Sequence, residues 1–358
     1  METTNTSNQM SNTTVNPAEY LNLEEKQDIR LTSAELANLW SGFMSSSLKE
    51  CVAKYLLAQV QDEEISGVLE YALHIARQHG QTISAIYQKE QHPLPRGFTD
   101  EDVNINAPRL FTDQFILSYM EFMAEIRING YATALTMTAR TDIRKYFTEC
   151  LASAAELYNK TASVILAKGL YLRAPQIPIP DRVDFAKKRS FMTGFLGERR
   201  PLTSLEISHI FSRAKTNFLR KALFTGFAQV AKSEQVRDYM FRGRDIAIKQ
   251  IEVLSSLLIK NGLPMPATWD SGVLQSTEAP FSDKLKLHNV RIFNAMEIGN
   301  LGKAISVGIR HDVAVTFTRL TAEVAKYSED GVNILIDNAW LEEPPQAADP
   351  DALKRKMH

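Results

Sequence analysis

Several carboxylate and histidine side chains are spaced so that they could share a metal ion. Glu70 and His74 stand four residues apart, as do Glu121 and Glu125, and residues four apart lie on one face of a helix. Metal centres inside helical bundles combine glutamates with a Glu-x-x-His motif on each of two helices, and this sequence has that motif once, beginning at Glu206. The candidate ligands of a degenerate site in the first half of the chain are therefore Glu70, His74, Glu121 and Glu125. The simpler interpretation, solvated charges on helix faces, stands beside it.

Patterns for other chemistry do not occur in the sequence. It has no phosphate-binding P-loop, no dinucleotide-binding glycine pattern and no G-x-S-x-G elbow. The two cysteines, Cys51 and Cys150, have neither CxxC nor CxxH spacing, so we expect buried core thiols. We predict no catalytic residue and no cofactor.

Composition restricts the classes of partner. Lys and Arg total 41 against 42 for Asp and Glu, so the chain as a whole has no general attraction to nucleic acid. Its one basic and aromatic stretch, around Lys187–Arg189, is small, and we predict no nucleic-acid binding. No apolar run is long enough to span a membrane and the first residues lack a secretory signal, so we expect a cytoplasmic protein.

The sequence repeats itself once. LTSAEL at 31–36 returns as LTSLEI at 202–207, an offset of 171 residues. Leu110–Asp113 corresponds to Pro280–Asp283 at an offset of 170, and the Arg-x-Asp at 140–142 corresponds to the one at 310–312. Collinear matches of this kind indicate two copies of one structural unit.

Each copy has the pattern of four helices. Thr32 with Glu35, and Thr203 with Glu206, have capping-box spacing, which predicts helix starts near 33 and 204. Second helices are predicted at 63–90 and 234–261, third helices after Pro108 and Pro280, and fourth helices after Arg140 and His311. The third-helix glycines, Gly130 in copy one and Gly299 with Gly302 in copy two, favour close helix packing, with a kink or π-bulge near a site as the alternative.

The second and third helices are joined by a connection long enough to cross the end of a bundle, as in ferritin-like proteins. The fold predicted is all-α, two tandem ferritin-like antiparallel four-helix bundles. Its segments are a disordered N-terminus 1–30, copy one 31–172, a Pro-rich basic linker 173–201, copy two 202–343 and a disordered tail 344–358. Phenylalanines 185, 191 and 195 with Leu196 suggest that the linker docks on a bundle.

Charges differ between the copies. Four glutamates of copy one correspond to basic residues of copy two: Glu50, Glu121, Glu149 and Glu156 to Lys221, Arg291, Arg319 and Lys326. We hypothesise that the two bundles associate through these faces, within one chain or between chains.

Copy one resembles a known family. The matching strings are PLPRGFTDEDV from Pro93, APRLFTD from Ala107, and KGLYLRAP from Lys168. They are similar to the tandem ferritin-like family called domain of unknown function 3231, whose members in spore-forming bacilli are often labelled as spore coat candidates. The resemblance implies the bundle fold, no established enzymatic activity, and a loose association with sporulation.

Two functions follow from these observations. The first is a non-enzymatic structural or interaction protein, with protein partners or self-association, cytoplasmic and incorporated into the spore. The alternative is a degenerate ferritin-like metal-binding protein, for redox or storage, with its site in copy one. The unmatched Glu-x-x-His motif favours the first.

Overall fold

The computed structural model describes residues 29–195, 199–266 and 272–347. None of the helices described there is long and apolar enough to cross a bilayer. Within these residues the chain forms eight long α-helices. They are α1 Ser33–Gln59, α2 Glu63–Lys89, α3 Asp113–Thr136, α4 Thr141–Ala167, α5 Ser204–Gln229, α6 Glu234–Ile259, α7 Asp283–Val307 and α8 His311–Asp337.

Side-chain caps set most of the helix starts. Thr32 caps α1 and Thr203 caps α5, each in a complete capping box with the glutamate three residues later, as predicted. The third helix of each copy begins a few residues beyond the proline. There the side chains of Thr112 and Ser282 each accept a hydrogen bond from a backbone N–H in the first turn of α3 and α7. A side-chain cap, and not proline, therefore sets these helix starts.

The eight helices pack as two bundles of four, which confirms the predicted all-α class and the tandem bundles. In the first bundle α1 packs on α2 and α3 on α4, with further contacts between α2 and α4. The second bundle repeats this with α5 on α6 and α7 on α8. The specific ferritin-like topology stays a prediction.

The long loops between second and third helices pair with each other across the molecule. Val103 bridges Phe281 and Phe111 bridges Val273, and the repeat offset of 170 converts the first pair into the second. Two backbone hydrogen bonds show the same relation. Asn104 N donates to Pro280 O at 2.8 Å, and the equivalent residues form the second bond, in which Leu274 N donates to Leu110 O at 2.9 Å. The two bundles are therefore related by an approximate two-fold axis, as the subunits of an isologous dimer are.

Aromatic side chains fill the contact between the bundles. Phe111 packs against Phe227, with ring centroids 6.2 Å apart, and Tyr55 meets Phe281 edge-on at 5.1 Å. These residues belong to one buried apolar cluster with members from both copies. The contact is therefore a shared core, which apolar burial stabilises.

The linker docks only in its second half. Arg200 stacks on Phe191, with its guanidinium carbon 4.3 Å from the ring centroid, and bonds Glu206 at the start of α5. The prediction that the linker docks on a bundle is wrong for Phe185, which is 78% exposed, and for Phe195, which is also exposed. Leu196 and nearly all of the two segments predicted to be disordered, 1–30 and 344–358, lie outside the described residues.

Candidate functional site

The four candidate metal ligands lie on two different surfaces. Glu70 and His74 are exposed on α2, whereas Glu121 and Glu125 lie on α3, facing the second bundle. Glu121 Oε2 pairs with Lys215 Nζ at 2.7 Å. No group of three or more His, Cys, Asp or Glu residues with a metal-binding arrangement occurs in the described part of the chain. The structure therefore does not bring these four residues together. That copy one contains a metal site stays a prediction.

The single Glu-x-x-His motif is part of a helix cap. Glu206 is buried and accepts hydrogen bonds from Thr203 N, from Arg310 N at the start of α8, and from the Arg200 guanidinium. Glu35 does the same in copy one, where its carboxylate accepts from Ala139 N and Arg140 N. Each glutamate therefore joins the first helix of its bundle to the fourth.

Two related grooves lie between the bundles, one on each side of the approximate two-fold axis. The α3–α5 groove, about 310 Å³, is lined by Phe122 and Glu121 from α3 and by Phe211 and Lys215 from α5. Tyr171, Leu172 and Ala174 also line it. Its charges are matched, since Lys215 bonds both oxygens of Glu121 and Arg213 approaches Glu125 at 3.7 Å.

The α1–α7 groove is its counterpart, has a volume of about 600 Å³ and is lined by residues of α1, α3 and α7. Its apolar walls include Trp40, Met44, Ile292 and Met296. The repeat offsets place Met44 at the position of Lys215, and Arg291 at the position of Glu121. The ion pair of the first groove therefore has no equivalent in the second.

Basic side chains line the α1–α7 groove at two depths. Lys49 and Arg127 are buried, 7% and 4% exposed, whereas Arg291 and Lys303 are exposed at the rim. Among the described residues that line this groove none is acidic. Arg127 has Nε and Nη1 enclosed without a described hydrogen-bond partner, and no described carboxylate is among the charged groups that influence Lys49. Buried basic groups are normally paired, so this arrangement favours an anion.

Burial and mutual repulsion determine the electrostatics of these groups. Burial, followed by the charge of Arg127, lowers the pKa of Lys49 well below its usual value. Burial also lowers the pKa of Arg127, and the pKa of His79, next to both, falls to about 3. A bound anion would favour the charged forms of all three groups.

A difference in sequence between the copies accounts for the larger volume of the α1–α7 groove. In copy two, the buried carboxylate of Glu297 accepts a hydrogen bond from Arg213 at 3.0 Å. The equivalent residues of copy one are Arg127 and Gly42. The side chain that fills the space in copy two is thus absent from copy one, and its buried acid is replaced by a base.

Glycines of the third helices contribute to the same opening. Gly130 and Gly299 both line the α1–α7 groove, and a Cβ built on either would meet no atom within 4 Å. The predicted close helix packing at these glycines is therefore wrong. Their lack of side chains leaves open space in the groove instead.

Within the chain, the hypothesis that the reversed charges pair the two bundles is wrong for Glu50 and only in part right for Glu121, and association between chains stays a prediction. The bundles do pack together, but Glu121 pairs with Lys215, and Glu50 pairs with Lys54 and Arg77 of its own bundle.

Both cysteines are buried as predicted, and burial raises the pKa of each to about 12, so neither resembles an activated nucleophile.

Acid should destabilise the protein through His79, which lies between Tyr131 Oη at 2.9 Å and Ser153 Oγ at 3.1 Å. Its pKa of about 3 is below the unfolded value, so the unfolded chain binds the extra proton and stability falls as pH drops from about 6.5 toward 3. His79→Gln, which copies Gln250 of the second bundle, should reduce this loss by about 2 kcal/mol between pH 7 and 5.

Denaturant unfolding at the two pH values measures this effect. His74→Gln, an exposed change on the same helix, is the control and should keep the original pH dependence. Equal pH dependence in all three proteins would contradict the assignment.

The fold and the groove together define a class, a tandem helical-bundle protein with a basic cleft between its two copies. Residues 21–183 and 190–353 each match the family described as "Protein of unknown function (DUF3231)", and the chain belongs to that family. One solved structure, a Bacillus halodurans protein provisionally named a spore coat protein, is 18% identical with a TM-score of 0.40 over 42% of this chain and 98% of its own. Among curated proteins none matches.

Proposed function

We propose that this chain is a non-enzymatic binding protein whose ligand occupies the α1–α7 groove. The observation that carries the proposal is the buried pair Lys49 and Arg127, which face a groove without a described acid. A folded chain keeps buried bases unpaired at a cost of several kcal/mol unless another group compensates. A ligand that supplies the missing charge is such a group.

The contrast between the grooves supports the same proposal. In the α3–α5 groove, Glu121 and Lys215 neutralise each other, and Tyr171 and Leu172 line the edge. The α1–α7 groove has nearly twice the volume, and the charged residues among its described lining are all basic. Incorporation into the spore and the presence of protein partners remain further proposals for this family member, to be tested by fractionating spores from a source organism.

Two glycine substitutions test whether the groove is a binding site. Gly299→Leu places a side chain inside the groove, while Gly302→Leu places the same side chain on the exposed face of α7, outside it. Both replace a helical glycine whose Cβ has free space, so both should stabilise the fold slightly, by up to about 1 kcal/mol.

The probe is the anionic fluorophore 8-anilino-1-naphthalenesulfonate. We expect the unmodified protein and Gly302→Leu to bind one equivalent with the same affinity, and Gly299→Leu to bind at least about tenfold more weakly, a difference of about 1.4 kcal/mol. Equal probe binding by the two leucine variants would overturn the proposed function.

A further inference from the structure

The chemistry of the α1–α7 groove also limits the kind of ligand it can accept. Its floor has the buried guanidinium of Arg127 and the buried amine of Lys49. Its walls include apolar side chains of α1 and α7, among them Trp40, Met44 and Met296. A ligand that uses both surfaces needs an anionic end and an apolar body.

Copy two indicates which anion fits at this depth. There the position of Arg127 is taken by Glu297, whose carboxylate is completely buried and bonded to the guanidinium of Arg213 at 3.0 Å. The interior of this bundle type therefore accommodates a carboxylate–guanidinium pair with both groups supplied by the protein. Copy one supplies the guanidinium but no carboxylate among its described groove residues. Carboxylate and guanidinium match in geometry as well as in charge.

We infer that the α1–α7 groove binds an amphipathic monocarboxylate, with its carboxylate at Arg127 and Lys49 and its apolar chain along Trp40, Met44 and Met296. This inference rests on the proposed function, because it assigns a ligand class to the same groove. The ligand replaces, from outside, the charge that Glu297 provides in copy two.

Calorimetric titration with decanoate tests the inference. We expect one decanoate per chain, with acetate and decyltrimethylammonium at least about tenfold weaker, since each lacks one of the two features that the groove recognises. Arg127→Met should lower the affinity for decanoate at least about tenfold. The variant should still fold normally, because removing an unpaired buried charge does not destabilise a core. Arg319→Met, which removes an exposed cation from α8 outside the groove, should bind decanoate unchanged.

The outcomes separate this inference from the proposed function. If decanoate binds no better than decyltrimethylammonium, or equally well to Arg127→Met, the ligand class is wrong. The fluorophore still decides occupancy of the groove through Gly299→Leu and Gly302→Leu. If those two variants bind the fluorophore equally, the proposed function fails first and the inference fails with it.

Discussion

Replacing Glu206 with Ala should lower the free energy of unfolding by about 3–5 kcal/mol, because it breaks a buried, hydrogen-bonded ion pair. The carboxylate of Glu206 holds Arg200 of the linker, caps α5 through Thr203 N and reaches Arg310 N at the start of α8. Its loss leaves a partly buried guanidinium and several amides without an acceptor. Glu206→Gln keeps the size of the side chain but not its charge, so its free energy of unfolding should lie between those of the unmodified protein and Glu206→Ala.

Guanidinium unfolding of the full chain measures this effect, and Glu329→Ala, an exposed change on α8, serves as control. Burial alone would raise the pKa of Glu206, but hydrogen bonds from Arg200 and from backbone amides lower it to about 2. The stabilisation is therefore complete above the unfolded pKa of about 4.3 and lost as pH falls toward 2. A loss below about 1 kcal/mol for Glu206→Ala would contradict its role as a junction.

Replacing Glu297 with Met should also lower the free energy of unfolding by about 3–5 kcal/mol, because it leaves buried basic side chains without a compensating negative charge. Glu297 is fully buried, Arg213 bonds it at 3.0 Å, and its charge also favours protonated Arg220. Methionine fills a similar volume, so the loss should be electrostatic and not a cavity effect.

A double-mutant cycle with Arg213→Met tests this explanation. Replacing both partners by apolar residues removes the uncompensated charge, so the double variant should be more stable than Glu297→Met alone. Strict additivity of the two single changes would show that the pair does not interact.

Local patterns predicted most of the helices but not the contacts between them. The capping box at Thr32 and Glu35 gave the start of α1 because its spacing is a local property. That the same Glu35 carboxylate also accepts the amides of Ala139 and Arg140 depends on a contact more than 100 residues distant in sequence. No local periodicity contains that information, so the sequence pattern does not predict the junction between the first and fourth helices.

The sequence alone does not reveal the candidate site, for a related reason. The spacing of acids and histidines points to Glu70 and His74, which are exposed, and to Glu121, which is paired with Lys215. The signal for the α1–α7 groove was present in the comparison of the copies, where Gly42 corresponds to Arg213 and Arg127 to Glu297. Its meaning depends on knowing that both positions face the bundle interior, which the structure supplies.

The paired loops around Val103 and Phe281 have a consequence for how the protein could diversify. In a homodimer with exact two-fold symmetry, every substitution appears on both sides of the axis, so two grooves can only be opened or closed together. Here both halves belong to one chain, and each position exists twice under independent codons. The α3–α5 groove has the Glu121–Lys215 ion pair, whereas the α1–α7 groove has Met44 at the position of Lys215, so two copies in one chain allow a nearly symmetric scaffold to have two grooves of different charge.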